Sequence, residues 1–197
     1  FASGRYMHAA LDALELLIDR LGHRISAQAI DRIDVRTFFL AATMGQQRVD
    51  TPFGMRFSIP CAMASRIVHG PLGLLDDGSA PFEDPRVHAL ANRIYVEEDR
   101  NMTSAYPTLQ PTRLTCRLNG GSEESAEVQK MLGEHDHPLP PDTLRGKFIE
   151  LAGPSLGPDS AGHVFEALCT LDEQDGMSSV LSSLRDASQP TLSGPPA

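Results

Sequence analysis

Apolar residues recur at three- and four-residue spacing through Ala9, Leu11, Leu14, Leu17, Ile18 and Leu21, which predicts an amphipathic helix over residues 8–21 that stops at Gly22. The period then changes. Ser26 caps a short turn into a stretch where Ile30, Ile33, Val35 and Phe39 mix with polar residues, and its β-branched and aromatic content predicts a strand near 31–40. Residues 46–54, polar and carrying Pro52 and Gly54, read as a loop. A second helix is expected over 58–69, with Ser58 as its cap, Pro60 in its first turn, and Gly70, Pro71 and Gly73 ending it. Asp84 caps a third helix with Pro85 at its first position, and a strand over 94–99 follows. Residues 109–118 and 123–131 predict two strands joined by the turn Asn119-Gly120-Gly121. Beyond a proline-rich connection over 133–141, Asp142 caps a helix that breaks between Gly153 and Ser160. Further helices are expected over about 161–171 and 176–186.

Strands joined first by helices and then by a hairpin indicate an α+β fold. The expected organisation is an α+β domain over 1–132, a C-terminal helical segment over 133–187 that needs something to pack on, and a disordered tail over 188–197. The chain starts at Phe1 and enters a helical pattern almost at once, which fits a trimmed or fragmentary N-terminus.

Composition narrows the function classes. A hydrophobic fraction of 41% is enough for a real core, and a formal net charge of −9 argues against nucleic acid, whose phosphates need clustered Lys and Arg. It does not argue against a small anion, because a few local arginines can hold a carboxylate. Cys61, Cys116 and Cys169 are odd in number and far apart, which favours free thiols, a reducing compartment and a cytoplasmic location. No apolar run is long enough to span a membrane, and no signal peptide is visible.

Two clusters carry candidate chemistry. Gly4-Arg5-Tyr6-Met7-His8 puts a guanidinium fork and an imidazole at a helix start, although a histidine there is commonly a cap or a surface residue. Arg56-Phe57-Ser58-Ile59-Pro60-Cys61 again puts an arginine, a hydroxyl and free backbone N–H groups at a helix start. From the residues alone a capped helix with a buried cysteine is the better description of that segment, and Cys61 has no neighbouring base to activate it. His135-Asp136-His137 lacks further ligands nearby and reads as a solvated loop, so no metal site is expected. Asp76-Asp77 and Glu97-Glu98-Asp99 read as surface acids, and no Walker or Rossmann loop is present.

These clusters, with the stretch from Phe82-Glu83-Asp84-Pro85-Arg86-Val87 to Ile94-Tyr95-Val96 and the pair Pro138-Leu139 followed by Lys147-Phe148, resemble the MmgE/PrpD family over roughly residues 1–150. The segment Arg56 to Cys61 is similar to that family's KFSIPY stretch. The resemblance implies the C-terminal half of a 2-methylcitrate dehydratase-like lyase or isomerase, a homodimer that works without metal or organic cofactor. It implies a lid-type domain whose C-terminal helices pack on an N-terminal helical domain. The substrate would be a small di- or tricarboxylate, held by Arg5, Arg56, Ser58 and Cys61, with proton transfer beside a carboxylate and His8 as the catalytic group. The family's active-site lysine belongs just before Phe1, and Cys61 stands where the family has tyrosine, so this chain alone is expected to be inactive. The rival expectation is a non-catalytic fragment or binding module acting through protein contacts.

Overall fold

A computed structural model describes residues 1–71, 79–173 and 176–187. Asp76-Asp77 and the tail after Ala187 lie outside the described residues. The chain divides into two compact units, Phe1–Pro138 and Leu139–Ala197.

The first unit is built on a four-stranded sheet of β1 (Ile30–Thr37), β2 (Ile94–Glu98), β3 (Thr112–Leu118) and β4 (Glu123–Val128), in spatial order β2-β1-β3-β4. β1 runs parallel to β2 and antiparallel to β3, and β3 and β4 form a hairpin. Alternation sorts the two faces. Leu114, Cys116 and Leu118 of β3 point into the core, while Arg113 and Arg117 point outward and pair with Glu127 and Glu123 on β4. In β1 the inward set is Ile30, Ile33, Val35 and Thr37, and the bulge between Ile30 and Arg32 supplies the change of phase. Buried Thr37 and Thr112 satisfy each other through a hydroxyl contact of 2.7 Å.

Helix α1 (His8–Leu21) lays its apolar stripe across β3 and β4. Leu11, Leu14 and Leu17 are fully buried there, each worth about 1.5–3 kcal/mol relative to exposure. Two short helices, α2 (Phe39–Ala42) and α3 (Pro52–Met55), lead into α4 (Ile59–His69), which packs against α1 and β2. Arg66 of α4 grips Glu15 of α1 through two contacts of 2.6 Å, tying the helices together at the rim of the core. Helices α5 (Ser79–Glu83), α6 (Pro85–Ala91) and α7 (Arg100–Ser104) complete the unit.

The strand expected to reach residue 40 ends at Thr37. Phe38 turns into the core, and Phe39 opens α2 with its N–H on the Thr103 hydroxyl and its ring partly exposed. The stretch 46–54 read as a loop contains α3, because Thr51 caps Gly54 N–H and Pro52 presets the first turn. Asp99 proves to be the cap of α7, accepting from the Asn101 and Met102 amides.

Asp84 caps α6 as its sequence suggested and also pairs with Arg86 and His69. The Arg86 hydrogen bond is the main reason its carboxyl sits at about 2, below the ordinary 3.8. A lowered carboxyl stabilises the fold at pH values above the unfolded value and loses that contribution as pH falls through the folded one. Asp84→Asn keeps the capping oxygen and removes the charge. It should lower the denaturation midpoint at pH 6, and the deficit should shrink between about pH 4 and pH 2. A deficit unchanged by acid would remove the charge from the explanation.

The second unit comprises α8 (Pro141–Leu156), α9 (Pro158–Cys169) and α10 (Ser178–Ala187). α8 and α9 pack together through Phe148 and Phe165, with ring centroids 5.5 Å apart, and through the Arg145–Glu166 pair. One expectation is corrected: Asp142 does not cap α8, and the helix starts earlier, at Pro141, whose ring presets the first turn. The break expected between Gly153 and Ser160 falls at Gly157, whose φ of +80° suits glycine, after α8 has continued through Pro154 to Leu156.

Candidate functional site

The two arginine clusters meet through the backbone. Gly4 donates its N–H to the Arg56 carbonyl at 2.7 Å, joining the entry to α1 with the turn that leads into α4. The approach is close: a Cβ on Gly4 would stand 3.2 Å from the Phe57 ring and 3.4 Å from the Arg56 oxygen.

Arg5 opens a 3-10 turn that runs straight into α1, which brings its side chain alongside His8. Its Nη1 donates to His8 Nδ1 at 3.0 Å and to the Leu132 carbonyl at 3.0 Å. Its Nη2 donates to Glu134 Oε1 at 2.5 Å. A guanidinium has donors only, so His8 Nδ1 must be the acceptor, which places the ring proton on Nε2, 3.3 Å from the Ser3 carbonyl. The edge of the Phe1 ring stands against the imidazole, with centroids 5.4 Å apart. His8 is therefore the neutral tautomer that presents Nδ1 to Arg5.

Leu132 and Glu134 lie on the turn after β4, and their contact with Arg5 was invisible in the sequence. That turn is anchored from below by Asp12, one helical turn beyond His8. Its carboxylate is 9% exposed and accepts the Leu132 N–H at 2.9 Å. Burial raises the Asp12 carboxyl above its ordinary value, while the Leu132 amide and the nearby Arg5 charge act in the opposite direction. A cavity of about 310 Å³ is lined by Glu134 together with Pro107, Thr108, Gln110, Lys130, His135 and Asp136.

The second cluster divides in two. Arg56 is half-buried and follows α3 directly. Ser58 is fully buried, and its hydroxyl is committed: it donates to the Gln46 carbonyl at 2.5 Å and accepts the Cys61 N–H at 3.1 Å. Cys61 is 0% exposed with Sγ 3.7 Å from the Gln47 carbonyl, and burial raises its thiol above the ordinary value. The structure thus brings Arg5, His8 and the Arg56 backbone together at a surface, and turns Ser58 and Cys61 inward beneath it.

In the 135–137 stretch, Asp136 pairs with Lys130, and residues 134 and 137 form an isolated bridge that closes the turn. Among the described residues no group of three or more His, Cys, Asp or Glu is arranged to hold a metal ion, and no helix is long and apolar enough to cross a membrane. No curated protein matches the chain. The family model described as the MmgE/PrpD C-terminal domain matches residues 1–171.

Proposed function

The chain belongs to the MmgE/PrpD family, and from that footing we propose that it supplies the carboxylate-holding wall of a lyase or isomerase acting on a small di- or tricarboxylate. The reading rests on the Gly4–Arg56 hydrogen bond, which sets two arginine-bearing segments side by side at the start of α1, where His8 stands. Two arginines on adjoining segments suit two carboxylates of one substrate. Proton removal beside a carboxylate builds negative charge in the transition state, and fixed cations nearby lower its energy. His8 would serve that step as base or as an orienting group. Its Nδ1 is engaged by Arg5, so a swing of Arg5 toward a substrate carboxylate would free that nitrogen for a proton. Ser58 and Cys61 would act indirectly, by fixing the turn that carries Arg56.

The catalytic lysine and the opposing wall would come from a helical domain, and the working form would be a cytoplasmic homodimer. The decisive comparison is Arg56→Ala in the intact enzyme assayed with cis-aconitate and 2-methylcitrate. KM should rise by about tenfold to a hundredfold, with a smaller change in kcat. Unaltered kinetics would remove Arg56 from the site.

One observation favours a second reading, an interaction module. α8 has no buried residue, and Leu144, Leu151, Leu168, Met177 and Leu181 are each more than a third exposed. If these faces serve protein contacts, the chain should self-associate with rising concentration in sedimentation velocity. A monomer throughout would exclude this.

A further inference from the structure

We propose that Glu134 is an internal occupant of the carboxylate site, a specificity-determining residue with which a substrate carboxylate must compete for Arg5. This rests on the reading of Arg5 as a carboxylate holder, and goes beyond it by assigning a role to a side chain on another element.

The donor count carries the inference. A carboxylate is gripped best by two parallel N–H groups. On Arg5 the end-on pair is Nη1 and Nη2. Nη1 is shared between His8 Nδ1 and the Leu132 carbonyl, and Nη2 is taken by Glu134 Oε1. Both Nη1 hydrogens and one of the two on Nη2 are therefore in use, and one of the ligands is itself a carboxylate, the group a substrate would present. The pair is accessible, with side-chain exposures of 39% for Arg5 and 30% for Glu134, so an arriving anion can reach it.

Glu134 is delivered to this place by bonds that do not involve its own side chain. Met131 is fully buried, Leu132 N–H is held by Asp12, Gly133 N–H by the His137 carbonyl, and His137 N–H by the Glu134 carbonyl. The turn should keep its shape when the carboxylate is removed. The cavity that Glu134 helps to line gives the displaced side chain somewhere to go.

Selection by charge follows. An anion that displaces Glu134 from Arg5 must overcome an existing ion pair and then sit near a second carboxylate. A monocarboxylate has no further grip with which to offset this. A di- or tricarboxylate can engage a second cation at the same time.

The test is calorimetric titration of the full chain with tricarballylate, an unreactive tricarboxylate, and with butyrate. The wild-type chain should bind tricarballylate and not butyrate. Glu134→Gln should bind tricarballylate roughly tenfold more tightly and acquire measurable affinity for butyrate. Glu134→Ala should do the same, which guards against the glutamine amide holding on to Arg5. Arg5→Ala should abolish the binding, and adding Glu134→Gln to it should restore nothing. If Arg5→Ala weakens binding while both Glu134 variants bind equally or more weakly than wild type, Glu134 merely positions Arg5: the proposal falls and the site stands. If Arg5→Ala changes nothing, or neither wild type nor Glu134→Gln binds tricarballylate, both fall. Circular dichroism checks that each variant is folded.

Discussion

Phe38→Ala should destabilise the protein by about 3–5 kcal/mol, the usual cost of truncating a buried phenylalanine. Phe38 is 0% exposed and stands where β1 hands over to α2. Its ring stacks on Tyr106 with centroids 5.3 Å apart, and meets the edge of Tyr6 at 5.9 Å. The loss includes transfer of the ring, the cavity left behind, and two aromatic contacts worth about 0.5–1.5 kcal/mol each beyond area burial. At this chain length the melting temperature should fall by roughly 6–20 °C. Tyr6 follows Arg5 in the same 3-10 turn, and its phenol hydrogen-bonds Tyr106, the main reason the Tyr106 hydroxyl is raised. The cavity therefore opens directly under the candidate site. Phe38→Leu, which refills most of the volume, should recover more than half of the loss. A denaturant titration giving less than about 1 kcal/mol for Phe38→Ala would show that neighbouring side chains collapse into the space.

Arg5→Ala should be the most damaging single change at the site. In the intact enzyme kcat/KM should fall by at least about a hundredfold, which corresponds to roughly 2.7 kcal/mol of transition-state binding. Three groups lose their donor at once: His8 Nδ1, the Leu132 carbonyl and Glu134. Arg5→Lys separates charge from geometry. A lysine keeps the positive charge but has no planar fork and cannot serve His8, Leu132 and Glu134 with the same spacing. Activity should stay within about tenfold of the alanine variant. A lysine variant close to wild type would mean that charge alone is needed, and the fork would drop out of the mechanism.

Local signals were legible in the sequence, and distant contacts were not. α1, α4 and α6 announced themselves through apolar spacing, through Ser58 before Pro60, and through Asp84 before Pro85. All four strands could be placed, but not the order β2-β1-β3-β4, since pairing partners are chosen by tertiary packing. Asp99 looked like a surface acid because a cap for a five-residue helix leaves hardly any periodic signature. At the site, Arg5 and His8 were visible as near neighbours at a helix start. Their union with Arg56 came only from the family resemblance and not from the residue pattern, because it depends on one backbone hydrogen bond between distant segments. Glu134 escaped for the same reason: 129 positions separate it from Arg5. Asp12 carries no local signal either, because what sets it apart is the turn after β4, whose Leu132 amide meets its carboxylate.

The margins of the sheet carry a consequence for assembly. One outer strand, β4, bears Glu123, Glu124 and Glu127, and the other, β2, ends in Glu97 and Glu98. Gln47 also places its side-chain amide on the Ile94 carbonyl of β2, using up an acceptor that an incoming strand would need. A second copy adding itself edge to edge would set carboxylate against carboxylate along the new seam. The molecule is thereby guarded against growing into an extended ribbon of joined sheets, even at high concentration or during slow refolding.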